Sequence, residues 1–222
     1  MPINEIGTVV SAPRGLTRGE FSEGSIDPSG TLVIIDFYMK AMLDGRGFQV
    51  RAGTISVPLT GDGTAITDTA AERCADAVAG QVIIPVYCLT SIDTWTADDS
   101  EGASKSVATV SSSGTAFVPL PMLSTGPTRS VAASTTARVQ ATGAVTVTAE
   151  LATTTLRHYS WHSDEGGTPA TDITSQSEKE WQPLRPPILV GPRCFYVQVS
   201  LATYMAHFDY LEFTTGHLGL AS

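Results

Sequence analysis

The sequence predicts an all-β protein built as an antiparallel β-sandwich, and three observations predict it. Apolar and polar residues alternate with a period of two in several segments, most clearly where Val145, Val147, Ala149 and Leu151 interleave with Thr146, Thr148 and Glu150. Such a period sends successive side chains to opposite faces, the pattern of a strand with one face buried and one solvated. Ser and Thr fill 50 of the 222 positions while charged residues make up only 16%, too little charge and too much Val, Ile, Leu and Phe for a disordered chain. Turn residues separate the apolar runs into roughly eight to ten strands, the texture of a sandwich or barrel. No unit recurs at a fixed period, which argues against a propeller or solenoid. The length suffices for one substantial core, so the expected organisation is an arm or leading strand over residues 1–30 and a single sandwich domain over residues 31–222.

The elements follow in order. Gly7, Gly15, Gly19, Gly24 and Gly30, with Pro2, Pro13 and Pro28, punctuate residues 1–30 too often for a regular element, so an extended arm is expected. Leu32 to Met39 is β-branched and aromatic and predicts a strand, ending at Asp44-Gly45-Arg46-Gly47, which has hairpin chemistry. In the return from Phe48 to Thr60, Val50 and Ala52 fall on one alternation and Ile55, Val57 and Leu59 on the other, so a β-bulge is placed at Gly53. Gly61-Asp62-Gly63 closes that strand. One short helix is expected near residues 68–78, with Asp68 as N-cap and Glu72 in the first turn. Val82 to Ile92 predicts a long strand near a sheet edge, with Pro85 where no donor is needed.

Asp98 to Ser113 reads as a polar loop carrying Val107 to Val110, and Pro119 and Pro121 interrupt Phe117 to Leu123. Ser124 to Thr136 reads as an exposed Ser/Thr/Gly loop. Ala137 to Ala141 is joined through Thr142-Gly143 to the Val145 strand as a hairpin. After the punctuation of Arg185-Pro186-Pro187 and Gly191-Pro192, the alternations of Phe195 to Leu201 and Phe208 to Phe213 supply two more strands.

Several function classes are disfavoured. A net charge of −9 with no Lys/Arg run repels phosphate backbones, so direct nucleic-acid binding is not expected. Apolar runs such as Leu32 to Ile35 and Val82 to Val86 fall far short of the roughly 20 residues that span a bilayer, so no membrane insertion is expected. The start Met1-Pro2-Ile3-Asn4-Glu5 lacks the basic and apolar regions of a secretory signal, so synthesis in the cytosol is expected. Cys74, Cys88 and Cys194 are odd in number with no C-x-x-C spacing, and buried free thiols are expected in place of a zinc or redox site.

The candidate chemistry is equally sparse. His158 and His162 lie four apart, but on a strand they stand about 13 Å from each other, too far to share a metal. Asp93, Asp98, Asp99 and Glu101 beside Trp95 supply oxygen ligands of the kind Ca²⁺ takes, yet their order does not match an EF-hand loop, and the segment reads as a solvated acidic loop, as does Asp164-Glu165-Gly166-Gly167. Nucleophile-elbow, dinucleotide, P-loop and zincin motifs are absent from the sequence. No catalytic residue, cofactor or metal is assigned, and the chain is not read as an enzyme. The residues singled out are candidate interface aromatics: Tyr159, Trp161 and Trp181, with Tyr196 and Tyr210 of the late strands.

Thr-, Ser- and Gly-rich sandwiches are common outside cells, and a lysine-poor one made without an export signal suggests a virus particle, whose components fold in the host cytosol and meet the outside only on release. In Ala144 to Glu150, the linker Ser111-Ser112-Ser113-Gly114, Cys194 to Val199 and Phe208 to Phe213, the chain resembles the virion structural proteins of tailed bacteriophages and other jelly-roll coat or decoration proteins. The resemblance covers most of residues 31–215. It implies a jelly-roll-like sandwich and a place in the virion. It also implies no catalysis, symmetric self-association into a homo-oligomer, and attachment to a neighbouring coat protein. Residues 1–30 set Arg14 and Arg18 against Glu5, Glu20, Glu23 and Asp27, unlike the basic arm of genome-facing shell proteins, which favours an outer or accessory position. The alternatives are a carbohydrate- or host-receptor-binding module using Trp95, Trp161 or Trp181, and a filament subunit.

Overall fold

The computed structural model describes residues 25–26, 32–33, 37–54, 56–61, 65–95, 99–123, 133–140, 144–164 and 177–219. Apart from Ser25–Ile26, which pairs with Leu32–Val33, the arm expected over residues 1–30 lies outside the described residues. So do most of the Ser124 to Thr136 loop, the Thr142-Gly143 turn, Asp98 and residues 165–167.

Strands of five residues or more carry the fold. They are β1 (Gly47–Ala52), β2 (Arg73–Ala77), β3 (Gln81–Trp95), β4 (Asp99–Val107), β5 (Thr155–Asp164), β6 (Ser177–Trp181), β7 (Arg193–Ser200) and β8 (Ala202–Thr214). Their pairing is antiparallel and nested: β1 with β8, β2 with β7, β3 with β6, and β4 with β5. The pairs β8–β3 and β7–β4 join these into two sheets, β1-β8-β3-β6 and β2-β7-β4-β5. Successive strands therefore change sheet at every step except β4 to β5, which is the double wrapping of a jelly roll. The all-β antiparallel sandwich expected from the sequence is what the chain forms.

Short strands close the sides. Thr136–Val139 and then Thr115–Phe117 extend the β2 sheet, and Leu120–Pro121 flanks β1, so the chain crosses between sheets at Val118 and Pro119. On the opposite side β5 and β6 are the facing edges. Between the sheets lie Phe48 and Val50, Ile83, Cys88 and Ile92, Phe195, Val197 and Val199, and Tyr204, Phe208 and Tyr210. Each large apolar side chain there contributes about 1.5–3 kcal/mol relative to exposure. From β7 to β8 the chain changes sheet over the single residue Leu201, at φ 55°.

The long strand Val82 to Ile92 stands, one strand in from the β6 edge, but its alternation is interrupted. Tyr87 pairs with Asp209 and Pro85 with Tyr210, which leaves Val86 as the extra residue of a bulge. Val82 and Ile84 consequently lie on the outer face while Ile83, Cys88 and Ile92 lie in the core.

The helix is not where the sequence placed it. Residues 68–78 form the short strand Ala70–Ala71 and β2. Helix propensity in that segment yields to burial of β2 on both faces. Asp68 accepts the Ala70 N–H at 2.8 Å and Glu72 the Val199 N–H at 2.8 Å, so both carboxylates hold loop and sheet backbone in place of capping a helix. Helix α1 instead covers Phe37–Leu43, where a strand was expected. Met39, Lys40, Ala41, Met42 and Leu43 are good helix formers. Gly45 (φ 71°) ends it with bonds from Gly45 N–H to Met42 O and Arg46 N–H to Ala41 O, a Schellman C-cap in place of a hairpin. Ala41 and Met42 pack on Val82, Ile84, Leu211 and Phe213, covering one half of the outer face of the β1 sheet.

Three further expectations change. Gly53 (φ 72°) terminates β1 before a tight turn bridged by Thr54 and Val57, and is not a bulge within a longer strand. Asp99–Val107 is strand β4 and not a loop; its hydroxyls find partners, Ser100 Oγ donating to Ser200 O at 2.6 Å. Val145 and Val147 are buried and Thr146 and Thr148 exposed, as the alternation requires, yet only Val145–Thr146 is laddered. Its partners are Ala70–Ala71 and Ser112–Ser113, while Thr136–Val139 pairs with β2, so the expected hairpin does not form. This small three-stranded sheet covers the outer face of β2 and β7 through Ala71, Cys74, Val107, Val145, Val147, Cys194 and Tyr196.

Candidate functional site

The half of the outer β1-sheet face that α1 leaves open is polar. Alternation sends Gln49 and Arg51 of β1, Met205, His207 and Asp209 of β8, Tyr87, Leu89 and Ser91 of β3, and Glu178 and Glu180 of β6 to that face. Register places them in rows: Arg51, His207, Leu89 and Glu180 in one, Gln49, Asp209 and Tyr87 in the next. A groove of about 560 Å³ runs across it, lined by Arg51, Leu89, Ser91, Glu178, Met205 and His207 among others.

Gln49 Nε2 donates to Asp209 Oδ1 at 2.9 Å, and the Tyr87 and His207 rings lie 5.5 Å apart at 34°. Burial raises the Asp209 carboxyl above its ordinary range, against the Gln49 hydrogen bond and His207. Burial lowers His207, with Asp209 opposing, and burial followed by Glu180 raises Tyr87. The face thus offers a neutral imidazole, an amide, carboxylates, a guanidinium and a phenol ring side by side. That set can hydrogen-bond a polyhydroxylated ligand while a ring covers its apolar face. None of these residues was singled out from the sequence. Their signal was present in β8, where Met205, His207 and Asp209 alternate with Tyr204, Phe208 and Tyr210.

The residues that were singled out sit elsewhere. Tyr159 and Trp161 on β5 and Trp181 on β6 are half-buried at the seam between the two edge strands. Trp181 stacks on Phe195 at 6.0 Å and 19°, and Lys179 Nζ lies 5.7 Å over the Trp161 ring. These rings close the open side of the sandwich. Tyr196 and Tyr210, expected at an interface, are both 0% exposed. Tyr210 points between the sheets and shares a hydrogen bond with Thr135 Oγ1, and Tyr196 lies under the three-stranded cover, so both serve the interior of one subunit. The side chain of Trp95 is outside the described residues. His158 Nε2 lies 2.9 Å from Ser106 Oγ and burial, followed by Arg193, pushes it down to about 4, while His162 is exposed.

Two buried clusters occupy the outer face of the β2 sheet. Lys105 Nζ, fully buried, donates to Glu150, to Ile66 O and to Gln198 Oε1, the last at 2.8 Å. Beside it, Cys194 is opposite Asp76 and Cys74 opposite Tyr196, which puts Cys74, Asp76 and Cys194 on one face with their sulfur and carboxylate atoms all within 4.8 Å of one another. All three cysteines are buried, and none of them is in a disulfide.

Exposed apolar side chains lie on α1 and on both sides of it along the β1 sheet. Phe37, Met39 and Leu43 of α1 and Leu120 and Met122 beside β1 lie there, with Ile188 and Val190 where Val190 pairs with Val82. Among the described residues no helix is long and apolar enough to cross a membrane. No protein-family model, curated protein or solved structure matches the chain.

Proposed function

We propose that the protein is a structural component of a virus particle, a coat or decoration subunit that associates with itself and attaches to neighbouring coat subunits. It would be made in the host cytoplasm and carried in the virion, without catalysis. The jelly-roll wrapping is an architecture that viral capsid proteins and lectins both use, so it supports the reading only by analogy. The observation that carries it is the set of exposed apolar side chains described above. Monomeric soluble proteins rarely leave contiguous apolar patches larger than a few hundred Å² uncovered, and such patches mark contact surfaces. A stable contact there should bury at least about 1,000 Å² in total. Sedimentation velocity and electron microscopy of the purified chain test it. Closed oligomers or particles that Met39→Glu with Leu120→Glu disperses are expected. A chain that stays monomeric at high concentration, alone and with its co-purifying coat protein, would refute it.

The groove favours a second reading, a carbohydrate- or receptor-binding module. Binding on a glycan array that is lost in Tyr87→Ala and His207→Ala but kept in Met39→Glu would support it over assembly alone.

A further inference from the structure

We propose that Cys74, Asp76 and Cys194, with the Ser111 hydroxyl as fourth donor, form a site for one thiophilic divalent cation, zinc above all. The inference is independent of the assembly reading and rests on convergence of side chains from two strands and a loop. Register brings the two cysteines diagonally across β2 and β7 with Asp76 between them, and their ligand atoms lie within 4.8 Å of one another. Ser111 closes the set. Its Oγ is 3.0 Å from Cys74 Sγ and donates to Asp76 Oδ2 at 2.6 Å, while its N–H donates to Asp76 Oδ1 at 2.9 Å. Zinc with bonds of about 2.3 Å to sulfur and about 2.0–2.2 Å to oxygen needs its ligands roughly 3.3–3.8 Å apart in a tetrahedron. The two Ser111 contacts therefore have to lengthen by less than about 1 Å to reach that spacing, and the 4.8 Å bound keeps the Cys74, Asp76 and Cys194 ligand atoms no more than about 1.5 Å beyond it.

Charge and surroundings agree with that occupant. Two thiolates and a carboxylate exceed the charge of a divalent ion by one, and Arg138, whose Nε lies 3.8 Å from Asp76 Oδ2, supplies the balancing positive charge. As the two metal–sulfur bonds form, two thiol protons leave to solvent. Ala71, Val107, Val145 and Val147 wall the cluster off from water, which strengthens ion–ligand attraction and excludes hydrolysis of the bonds. Sulfur donors select against Mg²⁺ and Ca²⁺, which demand six or more oxygens. Because the three-stranded cover lies over the cluster, loading should accompany folding. The ion would then pin β2, β7 and the Ser111 loop together.

The test uses the full chain, purified from zinc-supplemented cells and, separately, unfolded with chelator and refolded with Co²⁺. One zinc per chain is expected, and the cobalt form should show thiolate-to-metal charge transfer with tetrahedral d–d bands. Cys74→Ser and Cys194→Ser should each weaken those bands, Arg138→Gln should lower affinity by about tenfold, and Cys88→Ala should leave both stoichiometry and spectrum unchanged. Should the cysteine variants fail to fold, the wild-type chain still decides. Zinc is expected to protect two of the three thiols from alkylation, and a chelator to release them. Substoichiometric metal with no cobalt–thiolate band in the wild-type chain, or a Cys74–Cys194 disulfide in place of the metal, would overturn the proposal.

Discussion

Arg73 Nη2 lies 3.5 Å from Cys88 Sγ in the interior of the sandwich, a fully buried guanidinium that has a thiol as one partner and, among the described residues, no anion. Nη2 also reaches Leu89 O and Thr90 Oγ1, both at 3.4 Å, and the group stands 5.9 Å over the Phe208 ring. Among the described residues no carboxylate lies within ion-pair distance of it, and its Nε and Nη1 have no hydrogen-bond partner. Desolvating a charge without an anion is expensive, and long contacts to a thiol and a ring offset little of it.

Replacing Arg73 with an apolar side chain of similar length should therefore stabilise the fold. Arg73→Met is expected to raise the free energy of unfolding by about 1–4 kcal/mol, whereas Arg73→Ala should lower it by about 2–5 kcal/mol through the cavity it leaves. Urea denaturation of both variants separates the terms. A destabilised Met variant would mean that the guanidinium contacts outweigh its desolvation.

Lys105 presents the opposite case, a buried cation that has its anion. Burial holds its ammonium below the ordinary lysine range and Glu150 partly restores it. Removing the carboxylate leaves the charge stranded beneath the cover. Glu150→Gln should cost about 3–5 kcal/mol, and Lys105→Met with Glu150→Gln should recover most of that loss. Thermal unfolding of the single and double variants measures the coupling.

How much of this was legible in the sequence depends on which residue supplied the volume. In β7 and β8 the inward positions are Phe195, Val197, Val199, Phe208 and Tyr210, and the alternation reveals both strands. In β4 the residues paired across from Trp161 and Tyr159 are Gly102 and Ser104, so the rings that fill the space belong to β5 and β4 itself looks like a loop. Residues 68–77 carry helix formers whose propensity gives way to two-sided burial, and Gly45 reads equally as a hairpin turn or a helix stop until tertiary packing decides. The polar groove was legible in principle from His207 and Asp209 opposite the core positions of β8. The convergence of Cys74, Asp76 and Cys194 was not, because it depends on the register between β2 and β7, which are more than a hundred residues apart.

His158 makes stability depend on acid. Its folded value of about 4 lies below the ordinary 6.5, so between these values the unfolded chain binds the proton more readily. The stability is complete above about pH 6.5 and is lost as pH falls toward about 4. Allowing for solvent screening of a partly exposed ring, the loss should be about 2 kcal/mol. His158→Gln, which keeps a polar contact for Ser106 but does not titrate, should flatten this part of the profile. Unfolding free energies at several pH values check it, and an unchanged slope in the variant would assign the acid lability to other groups.

Gly102 lies directly beneath Trp161: a Cβ built on it would come 2.5 Å from two atoms of the indole. Those atoms belong to a rigid ring that cannot give way as the tip of a flexible side chain would, so Gly102→Ala has to push Trp161 outward or bend β4. Either response opens the seam between β5 and β6, and overpacking of this kind costs about 1–3 kcal/mol. The displaced indole should also lose its contact with Lys179 and gain water. A red shift and a rise in quenching by acrylamide are therefore expected in the tryptophan emission of the variant. Trp161→Leu in the same background should return most of the stability, since it removes the clash while keeping the seam apolar. If Gly102→Ala alone leaves both stability and emission unchanged, Trp161 is not the lid over this edge of the sandwich, and its ring is available to a partner after all.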